Sequence, residues 1–396
     1  MPNLNDIPAL RDDTPGCTLH AHLNNAGASL MPRPVLEAVQ LYLADEALHG
    51  GYETAAARAD DIAGFYRASA QLLNTQARNI AWMPSATDGF SKALSAVPFS
   101  PGDVLLTTDD DYVSNQIAFM FLQKRLGINV IRAEKLPEGG VDPQSVRSLM
   151  DRYRPRLVAV THVPTNSGLV QDVVAVGQLC RERDTWYLVD ACQSAGQLPL
   201  DVEVIGCDFL SATMRKWLRG PRGGGFLYVS DRALAAGLEP FFPDLGGAVW
   251  ADVGSYEPSG DANRFEYWEK PYALLLGSKV AIEYACELGP EAMAERIGSL
   301  ASHARQLLAT LPGARVLDRG NKQCGIVTLH IEGVRPGQLM KALQAARFNA
   351  GVARTFNALI DFREKGVDWA LRISPHYYNT EQELDRLKKT LEAIPV

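Results

Sequence analysis

From about residue 78 the chain alternates short β-branched apolar runs with stretches of helical periodicity. The runs predict strands at Ile80 to Met83, Val104 to Thr107, Asn129 to Ala133, Arg156 to His162, Trp186 to Asp190, Asp208 to Ala212 and Gly225 to Val229. Helical patterns fall between them, around 88–97, 113–126, 143–153 and 173–183. Alternation at this spacing predicts an α/β domain built on a large, mostly parallel, seven-stranded sheet. Ligands of such sheets lie beyond the carboxyl ends of the strands, so polar residues just past each strand are the candidates for chemistry.

After about residue 269 the pattern changes. Long helical stretches at Trp268 to Leu288 and Ala292 to Leu311 precede a strand at Gly325 to Ile331, a helix near 336–347 and a strand at Trp369 to Ile373. Thr380, with Glu383 three residues on, forms a capping box for the last helix. The division expected is a large domain over 18–268 and a smaller C-terminal α+β domain over 269–396, with residues 1–17 packing on the latter. Helices at 34–47 and 54–74 suit either body. No repeat or low-complexity tract interrupts the chain.

Composition narrows the field further. The 396 residues carry 39 Lys plus Arg against 46 Asp plus Glu, a net charge of −7. Mild acidity argues against holding nucleic acid by phosphate neutralisation. No apolar run reaches the ~18 residues of a membrane span, and the stretch Met1 to Cys17 lacks the basic and apolar regions of a signal peptide. The six cysteines are scattered with no C-x-x-C pair, which points to free thiols in a reducing, cytoplasmic setting. His20 and His22 alternate on a strand without a third partner, so no metal is expected.

The most informative stretch is 190–229. Asp190 ends an apolar strand and Gln193 follows it; Thr213, Arg215 and Lys216 come just past the next strand. A lysine in an enclosed site has its pKa depressed and can form a Schiff base with an aldehyde. A buried carboxylate can keep a pyridine nitrogen protonated, so that the ring acts as an electron sink. Singly, Asp190 reads as a helix cap and Lys216 as a solvated loop residue. Their order and spacing favour chemistry. Gly223, Gly224 and Gly225 lead into a strand rather than opening a helix, which speaks against a dinucleotide fingerprint.

This segment resembles the lysine-bearing signature of the class V aminotransferase family, fold-type I enzymes dependent on pyridoxal 5′-phosphate (PLP). That family includes cysteine desulfurases, isopenicillin-N-epimerase-like proteins, kynureninases and ergothioneine sulfoxide lyases. The resemblance extends over nearly the whole chain, through His22 to Ala28, Ser85 to Gly89, Asp111 to Asn115, Thr161 to Gly168 and Leu371 to Ser374. It implies that Lys216 carries the cofactor and shuttles the α-proton, that Asp190 pairs with the pyridinium, and that Gln193 bonds the ring hydroxyl. Ala86 and Thr87 at a helix start would hold the phosphate, completed by Thr213 and Arg215, with Tyr112 stacked on the ring. Arg372 would clamp the substrate carboxylate, near Ala28 and Tyr52. A homodimer acting on a small amino acid is implied as well.

Three departures shape the expected reaction. The stretch Val352 to Val367, where related desulfurases carry a nucleophilic cysteine, has none. Arg215 stands where many relatives have histidine, and a balancing pair with Glu269 is expected. Thr165 replaces an asparagine. The expectation is therefore a C–S lyase that eliminates from a cysteine-derived substrate to give pyruvate and ammonia, and not a persulfide-forming desulfurase. The alternative is an aminotransferase or epimerase.

Overall fold

Seven runs assemble into one sheet, six of them with nearly all side chains buried on both faces, as a sheet layered between helices requires, and Asn129–Arg132 at the edge with none buried. In the computed structural model, which describes residues 3–395, these strands are β1 (Ile80–Met83), β2 (Val104–Thr107), β3 (Asn129–Arg132), β4 (Leu157–Thr161), β5 (Trp186–Asp190), β6 (Phe209–Thr213) and β7 (Gly225–Val229). Their spatial order is β1-β7-β6-β5-β4-β2-β3. β3, β2, β4, β5 and β6 run parallel, and β7 is antiparallel to both neighbours. The α/β architecture with a seven-stranded, mostly parallel sheet is thus as expected. The chain leaves β2 toward β3 on one side and toward β4 on the other, so a topological switch point lies there.

The second sheet is antiparallel, with β8 (Ala314–Val316), β9 (Val327–Ile331), β10 (Gly351–Arg354) and β11 (Trp369–Ile373) in the order β8-β9-β11-β10. Leu300, Ala304 and Leu308 of the Pro290–Leu308 helix pack beneath it with Leu384, Leu387 and Leu391 of the Glu381–Glu392 helix. Thr380 and Glu383 form the expected capping box.

Several boundaries move for identifiable reasons. The helix predicted from Trp268 begins at Tyr272, after Pro271, because Trp268 is turned outward with its N–H on Asp244. The predicted 54–74 helix is broken at Arg58, whose guanidinium bridges Asp45 and Asp61. A hairpin, Ala248–Asp252 with Ser255–Pro258, escaped the periodicity because almost every residue in it is exposed.

The N-terminal segment joins the two sheets. Ala21–His22 pairs in parallel with Phe348–Asn349, and Asn24 bridges to Ser374 at the end of β11. Both His22 ring nitrogens are engaged within the protein, with the Ala28 carbonyl and with Asn349. Arg11 bonds Glu383 and the Tyr378 carbonyl, while Thr14 accepts from Arg219. Residues before 18 therefore contact the last helix and the loop after β6 alike. Among the described residues no helix is long and apolar enough to cross a membrane, and no cluster of three metal-ligating side chains forms.

Asp318 fastens the loop after β4 to the small sheet. Its fully buried carboxylate accepts from Gly168 N, Thr328 N and Thr328 Oγ1, and pairs at 2.7 Å with Arg305, whose side chain is 13% exposed. Removing one partner of a buried pair strands the other charge, so Asp318→Ala is expected to cost roughly 3–5 kcal/mol. Urea unfolding of the variant against the parent measures it.

Candidate active site

The carboxyl ends of β4, β5 and β6 open on a cavity of about 310 Å³. Its lining includes Ala86, Thr87, Tyr112, Asp190, Gln193, Thr213, Arg215 and Lys216, so the structure brings together every residue that the sequence assigned to the cofactor. Lys216 lies three residues past β6 and is 8% exposed. Its amine makes no hydrogen bond or ion pair among the described residues and stands 6.0 Å from the centre of the Tyr112 ring. Burial, with Arg215 adding to it, lowers its pKa from the ordinary lysine value, which favours the neutral, nucleophilic amine.

Asp190 ends β5 on the cavity floor. One oxygen accepts the Cys192 N–H at 2.9 Å and the other the Asn115 side-chain amide at 2.9 Å. Asn115 and Tyr112 are set in turn by Asp111, which is fully buried. Asp111 accepts from Thr161 N at 2.8 Å, from Thr108 N and from the Thr107 hydroxyl, and so ties the ends of β2 and β4 to the start of the Val113–Leu126 helix. Burial pushes the Asp111 carboxyl up to about 6, against the pull of those donors. Thr161 Oγ1 then accepts the Tyr112 N–H, fixing the ring over the cavity.

At the opposite end stands the start of the Ala86–Ala96 helix, capped by Ser85 Oγ on Asp88 N. Its free amides and the positive end of its dipole face the cavity beside Thr213. β7 starts hard against this turn. A Cβ on Gly225 would stand 2.6 Å from the Ala212 carbonyl oxygen and 3.1 Å from Ala86 N, so only glycine fits. Arg222, three residues earlier, also lines the cavity. The sequence reading passed over it. Its signal was a guanidinium in the glycine-rich turn that runs into β7.

Gln193 is already committed. Its amide nitrogen donates to the Ala26 carbonyl and to Thr165 Oγ1, and its oxygen accepts Trp217 Nε1. A bond to a ring hydroxyl requires exchanging one of these. Thr165 also accepts from Arg372 Nη1 at 2.6 Å, while Arg372 Nη2 reaches Asn24 and its buried Nε has no partner. Arg372 therefore stands behind Thr165 rather than in the wall. Ala28, whose carbonyl accepts from His22, lies outside the lining, and Tyr52 is 79% exposed on the Gly51–Ala57 helix and does not line the cavity of its own chain.

The Arg215–Glu269 pair does not form. Arg215 donates instead to the Gly27 carbonyl, and neither residue has an ion-pair partner among the described residues. Asp190 is the one carboxylate in a lining that holds Arg215, Arg222 and Lys216. Such a positive excess at a helix N-terminus calls for an anion.

The class-V aminotransferase model matches residues 21–387. The chain belongs to that family. It is 28% identical to a probable cysteine desulfurase of Methanothermobacter thermautotrophicus, over 98% of this chain and 96% of the relative. It is 29% identical to isopenicillin N epimerase of Streptomyces clavuligerus, over 74% of each chain. Its fold matches the apo cysteine desulfurase of Thermococcus onnurineus NA1 with a TM-score of 0.90 at 22% identity, covering 97% of each. The cystine C-S lyase C-DES, solved with its product cysteine persulfide, matches with a TM-score of 0.86 at 22% identity, covering 97% of this chain and all of that one.

These findings make the protein a PLP-dependent enzyme of fold type I, and the cavity suits that cofactor: an unpartnered lysine, a fixed carboxylate and a cationic cradle at a helix start. They overturn the expectation of an eliminating lyase that excludes persulfide-forming desulfurases. That exclusion rested on a thiol missing from 352–367. The probable cysteine desulfurases among the relatives align over 97–98% of the chain, and a sulfur acceptor need not be built into one loop.

Lys216→Ala is expected to abolish the visible band of lysine-bound cofactor, since the attachment point is gone. In the parent, only the neutral amine captures the aldehyde, and its pKa is lowered. The rate at which apoprotein takes up PLP should therefore rise with pH through a midpoint below the ordinary lysine value. Stopped-flow absorbance across pH reads both. Gly225→Ala should weaken PLP binding at least tenfold in an absorbance titration, because the added carbon displaces the Ser85–Ala86 turn at the cavity and the loss of about one charge-assisted bond there is of that size.

Proposed function

We propose that the protein removes sulfur from L-cysteine, leaving L-alanine and passing the sulfur to an external thiol as a persulfide. The observation that carries this is the near full-length alignment with several probable cysteine desulfurases. The balance is L-cysteine plus R–SH giving L-alanine plus R–S–SH, with no oxidant or reductant needed. When bound, PLP supplies the electron sink that makes the substrate's Cα–H acidic.

The protein's own groups take the following parts. Lys216 anchors the cofactor and carries the proton removed from Cα. Asp190, held by Asn115 and the Cys192 amide, would pair with the pyridine nitrogen, and Tyr112 would cover the ring. The Ala86–Ala96 helix start, Thr87, Thr213 and Arg222 receive the phosphate. Arg372, now behind Thr165 with an unpartnered Nε, would take the α-carboxylate once its bonds to Thr165 are exchanged. Cys192 lines the cavity, but burial and the nearby Asp190 push its thiol well up, so it is a poor nucleophile. This supports an acceptor from outside.

A homodimer is part of this reading. Phe242, Trp250 and Val253 are 84%, 78% and 89% exposed on or near the Ala248–Asp252 hairpin, which supports a partner surface there. Light scattering should return about twice the mass of one chain. The six unpaired thiols support a cytoplasmic location.

Incubating holoenzyme with L-cysteine and dithiothreitol should yield alanine and sulfide in equal amounts. Pyruvate with ammonia, or D-cysteine without sulfide, would overturn the assignment.

A further inference from the structure

The loop after β4 carries Thr165, which lines the cavity and holds Arg372 Nη1 through its carbonyl at 3.1 Å and its hydroxyl at 2.6 Å. That loop is pegged from the small-sheet side at two points. One is Gly168, whose amide donates to Asp318. The other is Asn166, the residue next to Thr165. Its side-chain amide donates to Asp361 Oδ2 at 2.7 Å, and the same oxygen accepts Lys365 Nζ at 2.7 Å.

Asp361 and Lys365 lie one turn apart on the Leu359–Lys365 helix, and each side chain is only 4% exposed. Phe362, between them, packs with Leu317, Ala353 and Ala370. The helix therefore rides on the small sheet while Asp361 reaches a loop of the large one. A buried ion pair of this kind adds little to stability, because taking both charges out of water offsets their attraction. What it supplies is register. The lysine holds the carboxylate oxygen where Asn166 meets it, and no apolar pair would capture an amide. Glu364 of the same helix pairs with Lys135 and Arg319 closer to solvent, where such pairs contribute little.

We propose that the buried Asn166–Asp361–Lys365 set positions Thr165, and through it the Arg372 guanidinium, for the substrate's α-carboxylate. This rests on the assignment of that carboxylate to Arg372 and deepens it. The three are positioning residues, and none of them lines the cavity. A loop pegged beside Thr165 keeps the guanidinium in one place before substrate arrives, so binding does not have to order it. With the peg cut, Thr165 and Arg372 should drift together. The carboxylate then loses its fixed partner, while the groups that meet the substrate's amine are untouched.

The test compares two amines on the holoenzyme by titrating the absorbance of the bound cofactor: L-alanine, and ethylamine, which is L-alanine without its carboxylate. The parent should bind L-alanine more tightly. Asn166→Leu cuts the tie and leaves the ion pair. It should shrink that preference by about fivefold, the net worth of one hydrogen bond, with ethylamine and PLP affinities within about twofold of the parent. Asp361→Leu with Lys365→Met removes both charges and should shrink the preference equally. Adding Asn166→Leu to that pair should change nothing more, because the three act as one unit. Glu364→Gln should leave the preference as it is. An Asn166→Leu protein that keeps the full preference overturns the proposal, as do losses that multiply in the combined variant or an ethylamine affinity that falls in step. Should either variant fail to fold, the other decides. Equal binding of both amines by the parent strikes the Arg372 assignment and the proposal with it. Failure of L-cysteine to yield alanine strikes the desulfuration reading alone, since neither amine carries sulfur.

Discussion

One buried carboxylate holds the catalytic edge of the sheet together. Asp111 gathers the Thr108 and Thr161 amides and the Thr107 hydroxyl, and so pins the ends of β2 and β4 at the switch point where the strand order diverges. The Val113–Leu126 helix starts from that knot. Its first turn delivers Tyr112 to the cavity and Asn115 to Asp190. Without it the loop ends would be free to drift, and a site of this kind depends on positions held within a fraction of an ångström. The residue does not line the cavity; it fixes groups at its edge.

The cavity it defines is an electrostatic device as much as a shape. Lysine, two lining arginines and a helix start meet a single lining carboxylate. Burial makes each bare charge more expensive, which is why Lys216 is shifted toward its neutral form. The arginines are always charged at physiological pH and cannot escape in that way. Their demand for counter-anions is a constraint on what binds there.

The two sheets meet around the same groups. Thr165, on the loop after β4, touches both Gln193 and Arg372, and Arg372 comes from β11 of the small sheet. The N-terminal turn at Asn24–Ser29 closes the third side through Gln193, Arg215 and Arg372. Asp318 and Arg305 tie that loop to the small sheet from behind. A displacement of either sheet would therefore be felt at the Thr165 side of the cavity before it reached the start of the Ala86–Ala96 helix, which packs on the large sheet.

The sequence by itself determined the elements of the large sheet, because buried parallel strands are written as β-branched runs and helices as periodic ones. It also determined the residues that the cavity lining gathers, since Lys216, Asp190, Thr87 and Tyr112 all sit at the ends of such runs, where the fold's geometry leaves them. What it could not determine was which partners these side chains choose. Arg215 was paired on paper with Glu269, fifty-four positions away, and the fold gave it the Gly27 carbonyl. Gln193 was assigned a ligand and had its hydrogen bonds filled by Ala26, Thr165 and Trp217. Tyr52 was placed in the site and stands in solvent, whereas Arg222 was passed over and lines the wall. Periodicity is local and survives in the chain as a pattern. Partner choice depends on the approach of segments distant in sequence, and only the packed structure fixes that.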